Sequence, residues 1–197
     1  MSGDQPAPDT DDLHAGAPLH DALLALLPLV GTWRGHGTGV VASTGAQFGY
    51  GQQLAFVHDG RPFLAYESRS WLLDADGSTI RQAWRECGFW RPGTTQDEFE
   101  VVLASNTGQA LLFNGEAGDL RWELETVAAL PSRTAKQVDG ERRLYAVVAG
   151  RLLYATELAP AGQPYAAHLN ASLNRASAQA PGSGASGSSS RPSDRAV

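Results

Sequence analysis

The chain has 197 residues and carries 15 Lys and Arg against 21 Asp and Glu, for a net charge of -6 and a pI near 5.3. That length suffices for one domain with a substantial core, and the acidic balance excludes the basic face on which a nucleic-acid binder depends. The single cysteine, Cys87, excludes an intramolecular disulfide and fits a reducing compartment. The longest apolar run, 22–30, is interrupted by Pro28 and falls far short of the ~20 residues a membrane helix needs. The acidic start, Met1 to Pro6, lacks the basic region of a secretory signal. These features describe a cytoplasmic protein with no membrane or nucleic-acid partner.

Residues 1–19 are rich in Pro, Asp and Ala and show no periodicity, so a disordered leader is expected. Residues 20–27 suit a short helix that stops before Pro28. From Gly31 the pattern changes to short strands. Gly31, Trp33, Gly35, Gly37 and Gly39 fall at alternate positions or wider. Residues two apart on a strand share a face, so Gly35, Gly37 and Gly39 leave that face bare while Trp33 fills its start. A bare face admits another backbone or a flat ligand, or marks a barrel corner.

Further strands are predicted over 48–58, 63–73, 80–91, 99–104, 110–114, 120–129, 133–138, 142–148 and 151–158, separated by Gly-containing turns such as 59–60, 76–77, 107–108, 115–118 and 139–140. Alternation is clearest over 120–129. Arg121, Glu123 and Glu125 point one way; Trp122, Leu124, Thr126 and Ala128 point the other. Residues 165–175 suit a short helix or a final strand. The tail from Ala176 is Ser, Gly, Ala and Pro, and disorder is expected there. The fold class is therefore all-β: an antiparallel up-and-down barrel of about ten strands over 20–175, with short flanking helical segments. A barrel of that size can hold a ligand. An open sandwich is the alternative.

The chain has no G-x-S-x-G, P-loop or H-E-x-x-H motif. Cys87 lies between Glu86 and Gly88 and reads as a buried, inert thiol. His14 and His20 read as solvated, His58 as a polar turn residue and His36 as outward-facing. His168 differs, because it stands alone in an uncharged stretch after the Gly162-Gln163-Pro164 turn, with no zinc-like co-ligand nearby. Its spacing favours a satisfied structural histidine, with the sole protein ligand of a haem as the rival reading. A glycosidase pair of Glu67 and Glu86 has no sugar platform to support it.

The motif Gly31-x-Trp33-x-Gly35-x-Gly37 resembles the signature of the nitrobindins, a family once described as similar to fatty-acid-binding proteins. The similarity runs on through Tyr50-Gly51, His58-Asp59-Gly60-Arg61-Pro62-Phe63, Tyr66-Glu67-Ser68-Arg69 and the stretch from Trp71 to Gly77. It continues through Glu86-Cys87-Gly88-Phe89-Trp90-Arg91-Pro92, Thr134-Ala135-Lys136, Arg143-Leu144-Tyr145 and His168-Leu169. The resemblance implies a barrel holding one haem b near an open end. It implies His168 as the axial iron ligand and Lys136 as a haem contact, where an ammonium suits a propionate. Where the family has Tyr-Pro-Thr-Ile, this chain has Val41-Ala42-Ser43-Thr44 with one residue more before Phe48. Thr44 or Ser43 then stands for the threonine near the haem.

The implied activity is isomerisation of peroxynitrite to nitrate at a ferric haem, with nitric oxide as a further ligand and a homodimer as a possible assembly. The rival readings are a nitric-oxide sensor and a non-enzymatic carrier of a fatty acid, its carboxylate held by Lys136 or an inward arginine.

Overall fold

A computed structural model of the protein describes residues 7–176. Residues 1–6 of the expected leader and 177–197 of the expected tail lie outside the described residues. The strands are β1 (Gly31–Val40), β2 (Gln47–Val57), β3 (Leu64–Leu73), β4 (Thr79–Pro92), β5 (Glu98–Ser105), β6 (Gln109–Gly118), β7 (Arg121–Pro131), β8 (Val138–Val148), β9 (Arg151–Pro160) and β10 (Ala166–Arg175). Each pairs antiparallel with its sequence neighbours, and β10 returns to β1, so the sheet closes as an up-and-down barrel. Closure gives every strand a paired neighbour on both sides.

The two ends of the barrel differ. A 3-10 helix, Asp21–Leu29, covers the end where β1 begins and buries Leu23, Leu26 and Leu29 against β4 and β6. Two indoles hold it there. Trp33 Nε1 donates to the Leu29 carbonyl at 2.8 Å and Trp122 Nε1 to the Ala25 carbonyl at 2.9 Å. Next to it the lumen is filled by aromatic rings. Trp90 stacks on Phe99 at 5.1 Å and meets Phe56 and Tyr145 edge-on at 5.4 and 5.3 Å. The opposite end carries only the loops 41–46, 74–78, 106–108, 132–137 and 161–165.

The bare face of β1 points inward, as its alternation requires, and the structure shows what the glycines admit. A Cβ on Gly35 would run into the Ser172 carbonyl, and one on Gly37 into the Asn170 carbonyl and the Tyr50 ring. At Gly39 the Phe48 ring and the Leu169 side chain take the space. The glycines therefore let β10 and its inward neighbours close over β1 at the seam of the barrel.

Several local expectations are corrected. The first helix does not stop before Pro28 but runs through it to Leu29, because the fixed φ of proline lies within the 3-10 range. Its start is capped by His20, whose Nδ1 accepts the Ala22 N–H at 3.1 Å. β6 does not end at Gly115; it continues to Gly118, with the Phe99 ring lying over Gly115. Residues 133–137 form a loop, and Asp139-Gly140 is a register shift inside one continuous β8 rather than a turn. A Cβ on Gly140 would meet the Tyr165 and Thr126 hydroxyls, and Asp139 Oδ2 accepts the Gly162 N–H at 2.7 Å. Of the two readings open for 165–175, the final strand is the one observed, as β10.

Cys87 is exposed, because Glu86 turns inward and alternation sends its neighbour out. His58 is not a surface turn residue. It is 1% exposed, its backbone pairs with Thr10, and both ring nitrogens lack a hydrogen-bond partner among the described residues. Residues 7–19 thus contribute an antiparallel bridge to the barrel wall.

Gly35→Ala is expected to lower stability by about 1–3 kcal/mol through overpacking at the seam, read as a lower urea midpoint. Gly118 has open space where its Cβ would be, so Gly118→Ala is expected to stay within about 0.5 kcal/mol of the parent.

Candidate functional site

His168 enters at the start of β10, where the pairing with β9 shifts register between Ala167 and Leu169. The irregularity leaves the imidazole half-buried at the end of the barrel away from the helix. Its Nδ1 lies 3.0 Å from the Val40 carbonyl, across the β1–β10 seam. A carbonyl only accepts, so Nδ1 carries the proton and Nε2 keeps its lone pair. Burial pushes the pKa of His168 below its ordinary value; the Val40 bond opposes this and the charge of Arg143 adds to it. The ring is therefore neutral and held by one nitrogen, with no hydrogen bond to Nε2 among the described residues. That is the state in which an imidazole ligates a metal.

Around it the wall is largely apolar. Phe48, Tyr50 and Trp84 pack together with centroids 5.2–6.2 Å apart. Leu169, Leu103 and Leu111 continue the inward face. Tyr50 donates to the Asn170 carbonyl at 3.1 Å, tying β2 across β1 to β10. Among the described residues no three His, Cys, Asp or Glu side chains come together to hold a metal ion. A lone imidazole beside an apolar wall fits a haem, whose macrocycle supplies the other four nitrogens to the iron.

The remaining candidates reach the same end. Lys136 is exposed in the β7–β8 loop, its backbone carbonyl taking a hydrogen bond from the Gln109 side chain. Thr44 is exposed in the β1–β2 loop, and its hydroxyl accepts the Ala46 N–H at 3.3 Å. Ser43, beside it, is also exposed. Of the motif residues, Gly31, Trp33 and Gly35 are buried and Gly37 is half-buried. Trp33 belongs to the helix-capped end, as its bond to Leu29 shows.

One feature was missed from the sequence. Arg143, on the inward face of β8, reaches across the lumen to Glu86 on β4. Its Nη1 and Nη2 donate to the two oxygens of Glu86 at 2.8 and 2.9 Å. Nη2 also donates to Glu141 Oε2 at 3.0 Å, and Nε lies 2.9 Å from Glu141 Oε1 as an ion pair without hydrogen-bond alignment. All three side chains are largely withdrawn from solvent. Burial pushes the Glu141 carboxyl above its ordinary value, and Arg143 opposes it. The signal was present in the alternation. With Tyr145 and Trp90 inside, residues 143, 141 and 86 must be inside too. Glu67 faces outward and pairs with Arg69 and Arg85, so Glu67 and Glu86 form no catalytic pair.

Residues 22–175 match the family described as the THAP4-like, heme-binding beta-barrel domain. The chain is 44% identical over 174 residues to a protein of Salinispora arenicola named peroxynitrite isomerase, covering 86% of this chain and 88% of that one. A protein of Corynebacterium diphtheriae named ferric nitrobindin-like is 46% identical over 149 residues, covering 74% of this chain and 65% of that one. The crystal structure of Rv2717c from M. tuberculosis superposes with a TM-score of 0.71 at 31% identity, covering 81% of this chain and 99% of that one.

Arg143→Leu leaves two carboxyls buried without their cation, which is expected to cost about 3–5 kcal/mol at neutral pH. Without the guanidinium, burial and the charge of Glu86 act on Glu141 unopposed and raise its pKa further. The folded variant then binds more protons than the unfolded chain above about pH 4.3, so its stability falls as pH rises through that window. Urea denaturation at pH 5 and pH 8 is expected to show the larger deficit at pH 8.

Proposed function

The chain belongs to the THAP4-like, heme-binding β-barrel family, and from that premise we propose that it isomerises peroxynitrite to nitrate with one haem b per chain, held at the open end by His168. The observation that carries this reading is the neutral imidazole of His168, fixed through Nδ1 to the Val40 carbonyl with Nε2 unbonded. When bound, ferric haem would supply a Lewis-acidic iron with an open coordination position. Peroxynitrite and nitrate contain the same atoms and charge, so the reaction consumes no reductant.

The chain's own part is to bind, orient and shield. The Val40 carbonyl fixes the tautomer and plane of His168 and makes Nε2 a better donor. Phe48, Trp84 and Leu169 supply a wall that excludes water from one side of the pocket. Lys136, at the rim, is the cation for a haem propionate, and Thr44 or Ser43 is a polar group within the facing loop. Nitric oxide would take the same open position. A cytoplasmic setting accords with the exposed, free thiol of Cys87.

The carrier reading has less support, because Arg143 with its two carboxylates and the ring cluster beneath it occupy the lumen an acyl chain would need. A nitric-oxide sensor would use the same haem without turnover, and peroxynitrite decay measured with substoichiometric protein separates the two.

Hemin titration of the parent protein is expected to give a Soret band saturating at one haem per chain. His168→Ala is expected to lose that band and to leave peroxynitrite decaying at its buffer rate; full haem binding and activity in the variant would contradict the assignment. Lys136→Ala removes one exposed ion pair, of about 0.2–1 kcal/mol. Hemin affinity is then expected to drop about two- to five-fold, with the Soret maximum unmoved.

A further inference from the structure

Below His168 the inward side chains of successive strands fall in one row. Arg143 of β8 stands opposite Thr156 of β9, Thr156 opposite Leu169 of β10, and Leu169 opposite Gly39 of β1. Thr156 Oγ1 accepts the N–H of Leu169 at 3.2 Å, which links the row to the residue next to His168. Arg143 thus lies two strands from His168 and faces the same space, and its charge is felt there. From this point the guanidinium reaches Glu86 on β4, four strands away around the closed sheet. The ion pair is a crossbar. On one side of it is the aromatic packing of the capped end, and on the other is the open end.

The crossbar is chemically odd for a barrel filled with rings. Removing each ion from water costs several kcal/mol, offset here by the bidentate Arg143–Glu86 pair and by Glu141. A neutral packed layer would divide the lumen as well. By formal charge the two carboxyl groups outnumber the one guanidinium by one, in a medium where charges act over longer distances than in water.

We propose that the Glu86–Arg143–Glu141 crossbar is the charge-setting floor of the haem pocket and holds the bound iron in the ferric state. The inference rests on the haem reading above. A buried negative charge stabilises the Fe(III) haem over the Fe(II) haem, which carries one positive charge less. The open end admits water and oxidants, and the isomerisation uses ferric iron, so a floor that disfavours one-electron reduction keeps the protein in its working state. Glu86, Glu141 and Arg143 are positioning residues: they would act on the iron through their charge.

The test is spectroelectrochemistry of the hemin-loaded protein at pH 8 for the parent, Glu141→Gln, Glu86→Gln and Glu125→Gln. Glu125 is exposed on the outer face and pairs with Arg142. Each crossbar variant is expected to shift the Fe(III)/Fe(II) ratio at a fixed potential about tenfold toward ferrous, which is about 59 mV upward for a one-electron couple. Glu125→Gln is expected to match the parent. Glu141 sits nearer the opening, so Glu141→Gln carries the test should Glu86→Gln fold poorly. An unmoved or lowered potential in Glu141→Gln, with its Soret band intact, would overturn the proposal while leaving the haem reading standing. Failure of the parent itself to bind hemin would overturn that reading and this inference with it.

Discussion

Closure of the barrel at the β1–β10 seam is the constraint on which the site depends. The seam needs β10 to lie so close to β1 that carbonyls of Ser172 and Asn170 occupy the places of side chains. Only glycine at 35 and 37 satisfies that, and Gly39 makes room for Phe48 and Leu169 in the same way. The gain is positional. With the strands zipped in this register, His168 at the start of β10 meets the carbonyl of Val40 at the end of β1. The glycine motif thus acts on the histidine indirectly, through backbone approach, and the inward face it leaves bare is filled by protein.

The rest of the architecture serves the difference between the two ends. The 3-10 helix and two tryptophan hydrogen bonds seal one end, and stacked and edge-on rings fill the lumen beside it. The crossbar then sets where packing stops. Its charges are tolerable because each guanidinium edge meets a carboxylate, and they are informative because hydrophobic side chains of similar volume would pack there at no such cost. Above them remain an aromatic wall, a neutral histidine and two polar loops.

Much of this was legible in the sequence. The inward and outward sets of β7 follow directly from its alternation, and the short turns imply the meander. The glycine motif marked the strand that closes the barrel against β10. What escaped has a physical pattern. Glycines were read as turns at 115 and 140, where they serve close approach inside strands, because a turn and a close contact leave the same residue in the sequence. Cys87 and His58 were misplaced by type: a thiol suggests burial and a turn histidine suggests solvent, but register and the bridge to Thr10 decided otherwise. The crossbar joins residues 57 positions apart. Its inward register was readable on each strand, but the pairing exists only once the barrel has closed.

The most direct test of the account is a crystal structure of the hemin-loaded protein. The account predicts the iron on Nε2 of His168, with Nδ1 still bonded to the Val40 carbonyl and the macrocycle above the Arg143 crossbar. Iron on any other side chain, or a haem bound outside the open end of the barrel, would contradict it.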